Sequence, residues 1–303
     1  MSRRIILAGG SGFLGTALAS SFDARGDRVI VLTRSPKPRA DHITEVAWDG
    51  KSLGEWAQCL DGADAVINLT GKNINCPLTP ENRRLIIESR VASVRVLAAA
   101  VQRAARPPGV LIQASAIGFY GDTRAVPADE TSPAGTGFLA EACRAWEAAQ
   151  EAAALPATRC VTLRLGVVLG QGGGALAVLA RLTRWFLGGA AGDGRQFISW
   201  IHLEDVISIV MTALERGDWR GVFNCTAPNP VTNAEFMREL RHALGRPWSP
   251  PAPAPMVRRL APLLGTDAAL ALGSQRVLPG RLLAKGFHFQ YPDLRPALKN
   301  LME

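Results

Sequence analysis

The chain has 303 residues, 48% of them hydrophobic and 20% charged, enough for one large or two modest domains with a sizeable core. Its formal charge of +8 comes from scattered, mostly arginine side chains. There is no lysine-rich tract, Cys/His finger or stacking-aromatic motif, so nucleic acid is not an expected partner. The five cysteines (Cys59, Cys76, Cys143, Cys160 and Cys225) form no CxxC pair and only four histidines are present. That composition argues against a metal site or a disulfide framework, and free thiols fit a reducing, cytoplasmic setting. No apolar run reaches the ~18 residues of a spanning helix, and Arg3-Arg4 leads straight into strand and helix without a signal-peptide core. No membrane partner is therefore expected.

Arg4-Ile5-Ile6-Leu7-Ala8 reads as a short buried strand. It runs into Gly9-Gly10-Ser11-Gly12-Phe13-Leu14-Gly15 and then into a helical pattern. A strand, a glycine turn and a helix N-terminus in that order make a site for the pyrophosphate of a dinucleotide. Gly9 allows the tight turn, Gly12 lets the backbone approach the phosphates, and Gly15 lets the helix pack closely. The free N–H groups and the positive end of the helix dipole face the anion. The second strand, Arg28–Thr33, ends in Thr33-Arg34, where an NAD site usually carries Asp or Glu on the ribose hydroxyls. Arg34 offers a planar fork of donors for a 2′-phosphate, which predicts NADP(H). Lys37 and Arg39 fit a solvated basic loop equally well.

The alternation continues with a short strand near Thr44–Trp48, a helix over about Leu53–Leu60, and a strand at Ala65–Leu69 ending in Thr70-Gly71. A long helix is predicted from Pro80 to Arg106, a strand at Val110–Ser115, a helix at about Glu141–Ala153 and a strand at Arg159–Leu165. This is the pattern of an α/β, Rossmann doubly wound parallel sheet. Beyond it come Gly172-Gly173-Gly174, a helix over Ala175–Phe186, an extended piece at Phe197–His202, a helix over about Glu204–Arg216 and a strand at Val222–Cys225. From Asn233 the chain reads as mainly helical, broken by Pro247–Pro255. The expected division is a dinucleotide-binding core at 1–170, with a return contribution from about 197–230, and a smaller, mainly helical region at 171–303 that shapes a substrate cleft. The long helices suit either a homodimer or a self-contained chain.

These motifs resemble the extended short-chain dehydrogenase/reductase superfamily. Gly9–Gly15 is similar to its cofactor loop and Asn68-Leu69-Thr70-Gly71 to its fourth-strand turn. Ser115 matches its serine after the fifth strand, Trp200-Ile201-His202-Leu203-Glu204-Asp205 its late "IHxxD" segment, and Thr232-Asn233-Ala234-Glu235-Phe236 a late strand–helix turn. Gly166-Val167-Val168-Leu169-Gly170, Gly172–Gly174, Gln275–Pro279 and Gly286-Phe287 resemble the NADP-binding, epimerase-like subfamily with its own small terminal domain. The resemblance covers essentially the whole chain. It implies cofactor contacts from Gly9, Gly10, Ser11, Gly12, Phe13, Leu14, Gly15, Thr33, Arg34, Leu69, Thr70, Gly71 and Arg90.

The chain departs from the superfamily at its Tyr-x-x-x-Lys pair. Phe138 stands where the tyrosine is expected and Ala142 where the lysine is expected, so no phenol is there to pass a proton and no cation to lower its pKa. Tyr120, five residues past Ser115, is the obvious substitute, with Ser115 polarising a carbonyl; Tyr120 could equally be a packed aromatic. Arg90 could reach a ribose or phosphate, or lie solvated on its helix. Asp205 is expected to cap its helix with His202 anchoring the turn. Trp146 reads as core, Glu147 as helix surface, Asp129 and Glu130 as turn residues, and Arg195 as a loop arginine that could meet an anionic substrate. Two functions follow. One is an NADP(H)-dependent oxidoreductase or epimerase-like enzyme acting on a small polar substrate. The other is an NADP(H)-binding sensor or interaction protein without turnover.

Overall fold

The computed structural model describes residues 2–39 and 41–303. Its strands are β1 (Arg4–Ala8), β2 (Arg28–Thr33), β3 (Thr44–Ala47), β4 (Ala65–Asn68), β5 (Val110–Ala116), β6 (Arg159–Leu165), β7 (Val167–Leu169), β8 (Phe197–Ile198), β9 (Trp200–His202), β10 (Gly221–Cys225) and β11 (Val231–Thr232). Its helices are α1 (Phe13–Ala24), α2 (Pro80–Arg103), α3 (Phe138–Glu151), α4 (Gly174–Arg184), α5 (Leu203–Glu215), α6 (Asn233–Ala243), α7 (Ala254–Leu260), α8 (Ala268–Leu272), α9 (Gly280–Ala284) and α10 (Leu294–Met302).

Seven strands form one sheet in the order β10-β6-β5-β4-β1-β2-β3, and every pairing in it is parallel. Parallel strands are covered on both faces, which is why β1 and β4 read as unbroken apolar runs. Leu18, Phe22, Ile209 and Trp219 pack one face of the sheet. Trp56, Leu60, Leu97 and Val101 pack the other. The direction of strand order reverses between β1 and β4, so the crevice for a ligand opens at their carboxyl ends. Among the described residues, no helix is long and apolar enough to cross a membrane.

Several elements differ from the sequence pattern for identifiable reasons. The predicted helix at 53–60 is a short 3-10 turn over Glu55–Leu60. α2 stops at Arg103, because Ala104 turns extended ahead of Pro107-Pro108. α3 starts at Phe138, since Gly137 at φ 90° supplies the break. Phe197–His202 is not one strand. Ser199 divides it, so that β8 pairs antiparallel with β11 while β9 pairs parallel with β7. The Ser199 hydroxyl bonds the Gln275 and Val277 backbone and ties the C-terminal segment down. That segment also runs beside Ala128, with Leu278 N–H donating to the Ala128 carbonyl at 2.8 Å.

Candidate dinucleotide site and the replaced acid–base centre

β1 delivers the chain to the glycine turn and α1 leads away from it. Gly9 sits at φ 77°, in the left-handed region. A Cβ on Gly15 would stand 2.5 Å from Gly10 Cα, so α1 packs directly on the loop. Gly12, at the N-terminus of α1, has only the Gly9 carbonyl oxygen near the position of a Cβ, at 3.6 Å. Ser11 and Gly12 are exposed and Phe13 and Leu14 are half-buried. Gly173 is explained here too, since a Cβ on it would strike the ring of Phe13, while Gly172 and Gly174 lie at positive φ.

Thr33 is buried at the end of β2, its hydroxyl 3.5 Å from that of Ser11. Arg34 follows it, exposed, with no side-chain hydrogen bond or ion pair among the described residues. Arg39, by contrast, is bridged to Asp41 and Glu45. At the end of β4, the Thr70 N–H donates to the Asn68 side chain, which in turn donates to Gln113 at 2.9 Å. The Thr70 hydroxyl is buried without a hydrogen-bond partner among the described residues. Leu69 packs between the sheet and Trp146. Arg90 donates to the carbonyls of Lys72 and Ile86, lies 4.8 Å from the Trp146 ring centroid and closes under Gly71. It faces no carboxylate among the described residues, and burial pulls its guanidinium below its usual range.

Ser115 and Tyr120 occupy a different setting from the open cleft expected of catalytic groups. The Ser115 hydroxyl donates to Glu147 Oε1 at 2.5 Å. Glu147 takes two further hydrogen bonds from Arg164, at 2.9 and 2.7 Å. Arg164 also donates to the Tyr120 oxygen at 2.8 Å, and Tyr120 donates to Asn224 Oδ1 at 2.8 Å. The Phe119 ring centroid lies 3.3 Å from the Arg164 guanidinium carbon. Tyr120 is 4% exposed, and burial pushes its phenol above the ordinary value despite Arg164 beside it. Phe138 opens α3 with Arg83 over its ring at 5.2 Å, and Ala142 is buried. No proton-passing group occupies either position.

The network corrects several expectations. Glu147 is not a helix-surface residue but a buried partner of Arg164, an arginine buried in β6. Glu130 is more than a turn residue. It accepts from the backbone N–H groups of Asn224 at 2.8 Å and Arg281 at 3.2 Å. His202 and Asp205 do not hold the roles expected of them. His202 Nδ1 caps α5 by accepting from Glu204 N–H, while Asp205 accepts from the backbone of Gln290 and Tyr291. Arg195 lies exposed on its loop.

Tyr120→Phe is expected to cost about 1–3 kcal/mol of stability, because Arg164 and Asn224 each lose a buried partner. Chemical denaturation checks this. A stability unchanged within error would mean that the hydroxyl is not integral to the network.

Residues 5–226 match the NAD dependent epimerase/dehydratase family, and residues 252–301 match a domain of unknown function, DUF1731. The chain is 38% identical to the epimerase family protein SDR39U1 of Bos taurus over 307 residues, covering 99% of each. It is 37% identical to the chloroplastic SDR39U1 homolog of Arabidopsis thaliana, covering 99% of this chain and 86% of that one. The crystal structure of human SDR39U1 with NADPH superposes with a TM-score of 0.88 at 36% identity, covering 99% of both chains. Sequence agreement and backbone superposition both extend over 99% of the chain. The chain therefore belongs to the NAD dependent epimerase/dehydratase family, in the branch that carries DUF1731 at its C-terminal end.

Proposed function

We propose that this chain is an NADP(H)-binding, epimerase-like protein that takes up a small polar ligand beside the dinucleotide without the usual tyrosine–lysine proton relay. The contrast at the glycine turn carries this. Side chains on Gly9, Gly10 or Gly15 would crowd or strike backbone or core atoms, whereas a Cβ on Gly12, at the start of α1, would meet only the Gly9 carbonyl oxygen, at an ordinary contact distance. That is where a diphosphate approaches backbone N–H groups. The amides of Gly9–Gly15 would hold the diphosphate, Thr33 and Arg34 the 2′-phosphate, and Leu69, Thr70, Gly71 and Arg90 the remainder. The unpartnered Thr70 hydroxyl is a group that such a ligand would satisfy. The NADPH in the crystal structure of the human relative supports the phosphorylated form. When bound, NADP(H) supplies hydride exchange.

Phe138, Ala142 and the burial of Tyr120 support binding without turnover. A second reading, oxidoreductase or epimerase chemistry through Ser115 and Tyr120, draws on the 2.5 Å contact between Ser115 and Glu147, which joins a hydroxyl to a carboxylate. Calorimetry of NADPH and NADH on the wild type and on Arg34→Ala tests the cofactor. The variant should lose about 1.5–3 kcal/mol for NADPH, roughly 10- to 150-fold, with NADH little changed. Equal binding of both cofactors by the wild type would sink the NADP(H) assignment. NADPH oxidation against a panel of carbonyl compounds separates the two readings. No turnover supports binding alone, and turnover lost in a folded Tyr120→Phe variant supports the second.

A further inference from the structure

Residues 174–192 and 240–266 contain no aspartate or glutamate. The two stretches lie side by side. Ala252 N–H donates to the Ala190 carbonyl and Gly192 N–H to the Ala252 carbonyl, both at 2.8 Å. Arg241 donates to the Gly188 carbonyl at 2.8 Å, and Arg246 to that of Arg184 at 3.3 Å. Their large apolar side chains stand outward. Trp185 is 75% exposed, Trp248 66% and Leu263 82%. Leu187 and Leu264 are exposed as well, and neither α7 nor α8 buries any residue. Phe186, at φ 60°, makes the left-handed turn that ends α4 between Trp185 and Leu187.

Exposed cations lie in the same two stretches. Arg181, Arg184, Arg258 and Arg259 are exposed, and none of them has a carboxylate partner among the described residues. The acids on neighbouring α6, Glu235 and Glu239, are already paired with Arg238 and Arg295. Apolar patches of this kind on a folded chain mark contact sites.

We propose that this face docks peripherally on an anionic lipid surface, with Trp185, Trp248 and the adjoining leucines at the acyl boundary and the arginines at the headgroups. Charge selects this occupant. A second copy docking through the same face would bring the same unpaired arginines against each other, whereas an anionic headgroup layer complements them. Tryptophan suits that boundary because one end of its ring system is apolar and the other carries a donor. Peripheral docking of this kind needs no spanning helix.

The test is sedimentation of the whole protein with phosphatidylcholine vesicles made with and without phosphatidylglycerol, together with tryptophan emission. Binding is expected only to the anionic vesicles, weaker at high salt, with a blue shift in emission. Trp185→Ala/Trp248→Ala and Arg258→Glu/Arg259→Glu should each lower vesicle affinity by roughly tenfold or more. Unchanged NADPH affinity in these variants shows that they are folded. No sedimentation with anionic vesicles, or sedimentation equal in folded variants, overturns the proposal. So does a concentration-dependent dimer that the tryptophan variant abolishes, since that outcome assigns the face to a second copy.

Discussion

Glu147→Ala is expected to destabilise the protein by about 3–5 kcal/mol, measured as a fall in the urea midpoint with little change in slope. The carboxylate is buried and receives three hydrogen bonds, one from Ser115 and two from Arg164. Only 5% of Arg164 is exposed, and Glu147 is its one carboxylate partner within 4 Å among the described residues. Burial opposes the charge on Arg164, but Glu147 outweighs it and holds the guanidinium above its ordinary value. Truncating Glu147 therefore leaves a cation in the interior with only Tyr120 and the Phe119 ring to face. The pair Glu147→Leu/Arg164→Met separates that penalty from lost packing. It should recover much of the stability, because an apolar pair of similar volume carries no stranded charge. A loss below about 1 kcal/mol in Glu147→Ala would mean that water reaches Arg164 and that the network is not an interior one.

This network is also where the sequence was least legible. The strands were readable because parallel, doubly covered strands must be apolar throughout, as in Ile5–Ala8 and Ala65–Ile67. The glycine turn was readable because its spacing follows from backbone geometry alone. Glu147 carries no such mark. A single carboxylate on a helix is usually solvated, and its partner lies 17 residues away on β6. The available signal was Arg164 itself, a charge inside the strand run Arg159–Leu165, which implies a buried counter-charge. The roles of His202 and Asp205 were hidden similarly. Asp205 bonds backbone groups 85 and 86 residues further on, contacts that no local pattern specifies. Tyr120 was found as a residue but not in its setting. Its loop follows β5 as expected, yet Asn224 on β10, 104 residues away, takes its proton donor. The division of Phe197–His202 into two strands likewise depends on Ser199 meeting Gln275 and Val277, at the far end of the chain.

Gly12→Val and Gly15→Ala are expected to separate the dinucleotide site from the fold that supports it. At Gly12 the backbone is extended (φ −82°, ψ 174°), which valine adopts without strain, and a Cβ there meets only one carbonyl oxygen at an ordinary contact distance. Stability in the absence of cofactor should therefore change by no more than about 1 kcal/mol, the scale of an altered N-cap. NADPH affinity should fall by more than about 100-fold. The branched side chain fills the space through which the diphosphate reaches the helix N-terminus, and two charge-assisted hydrogen bonds are together worth about 3–6 kcal/mol. Gly15→Ala should behave differently. Its Cβ would stand 2.5 Å and 2.7 Å from the Cα and carbonyl carbon of Gly10, both backbone atoms that cannot rotate away. The helix and the loop must part, so both stability, by roughly 1–3 kcal/mol, and binding are lost together. Thermal unfolding with and without NADPH reads both quantities in one experiment, because a ligand that binds only the folded state stabilises it by an amount that grows with the logarithm of its affinity. A Gly12→Val protein that still binds NADPH as the wild type does would show that the diphosphate lies elsewhere. A Gly15→Ala protein of wild-type stability would show that α1 does not need its close approach to Gly10.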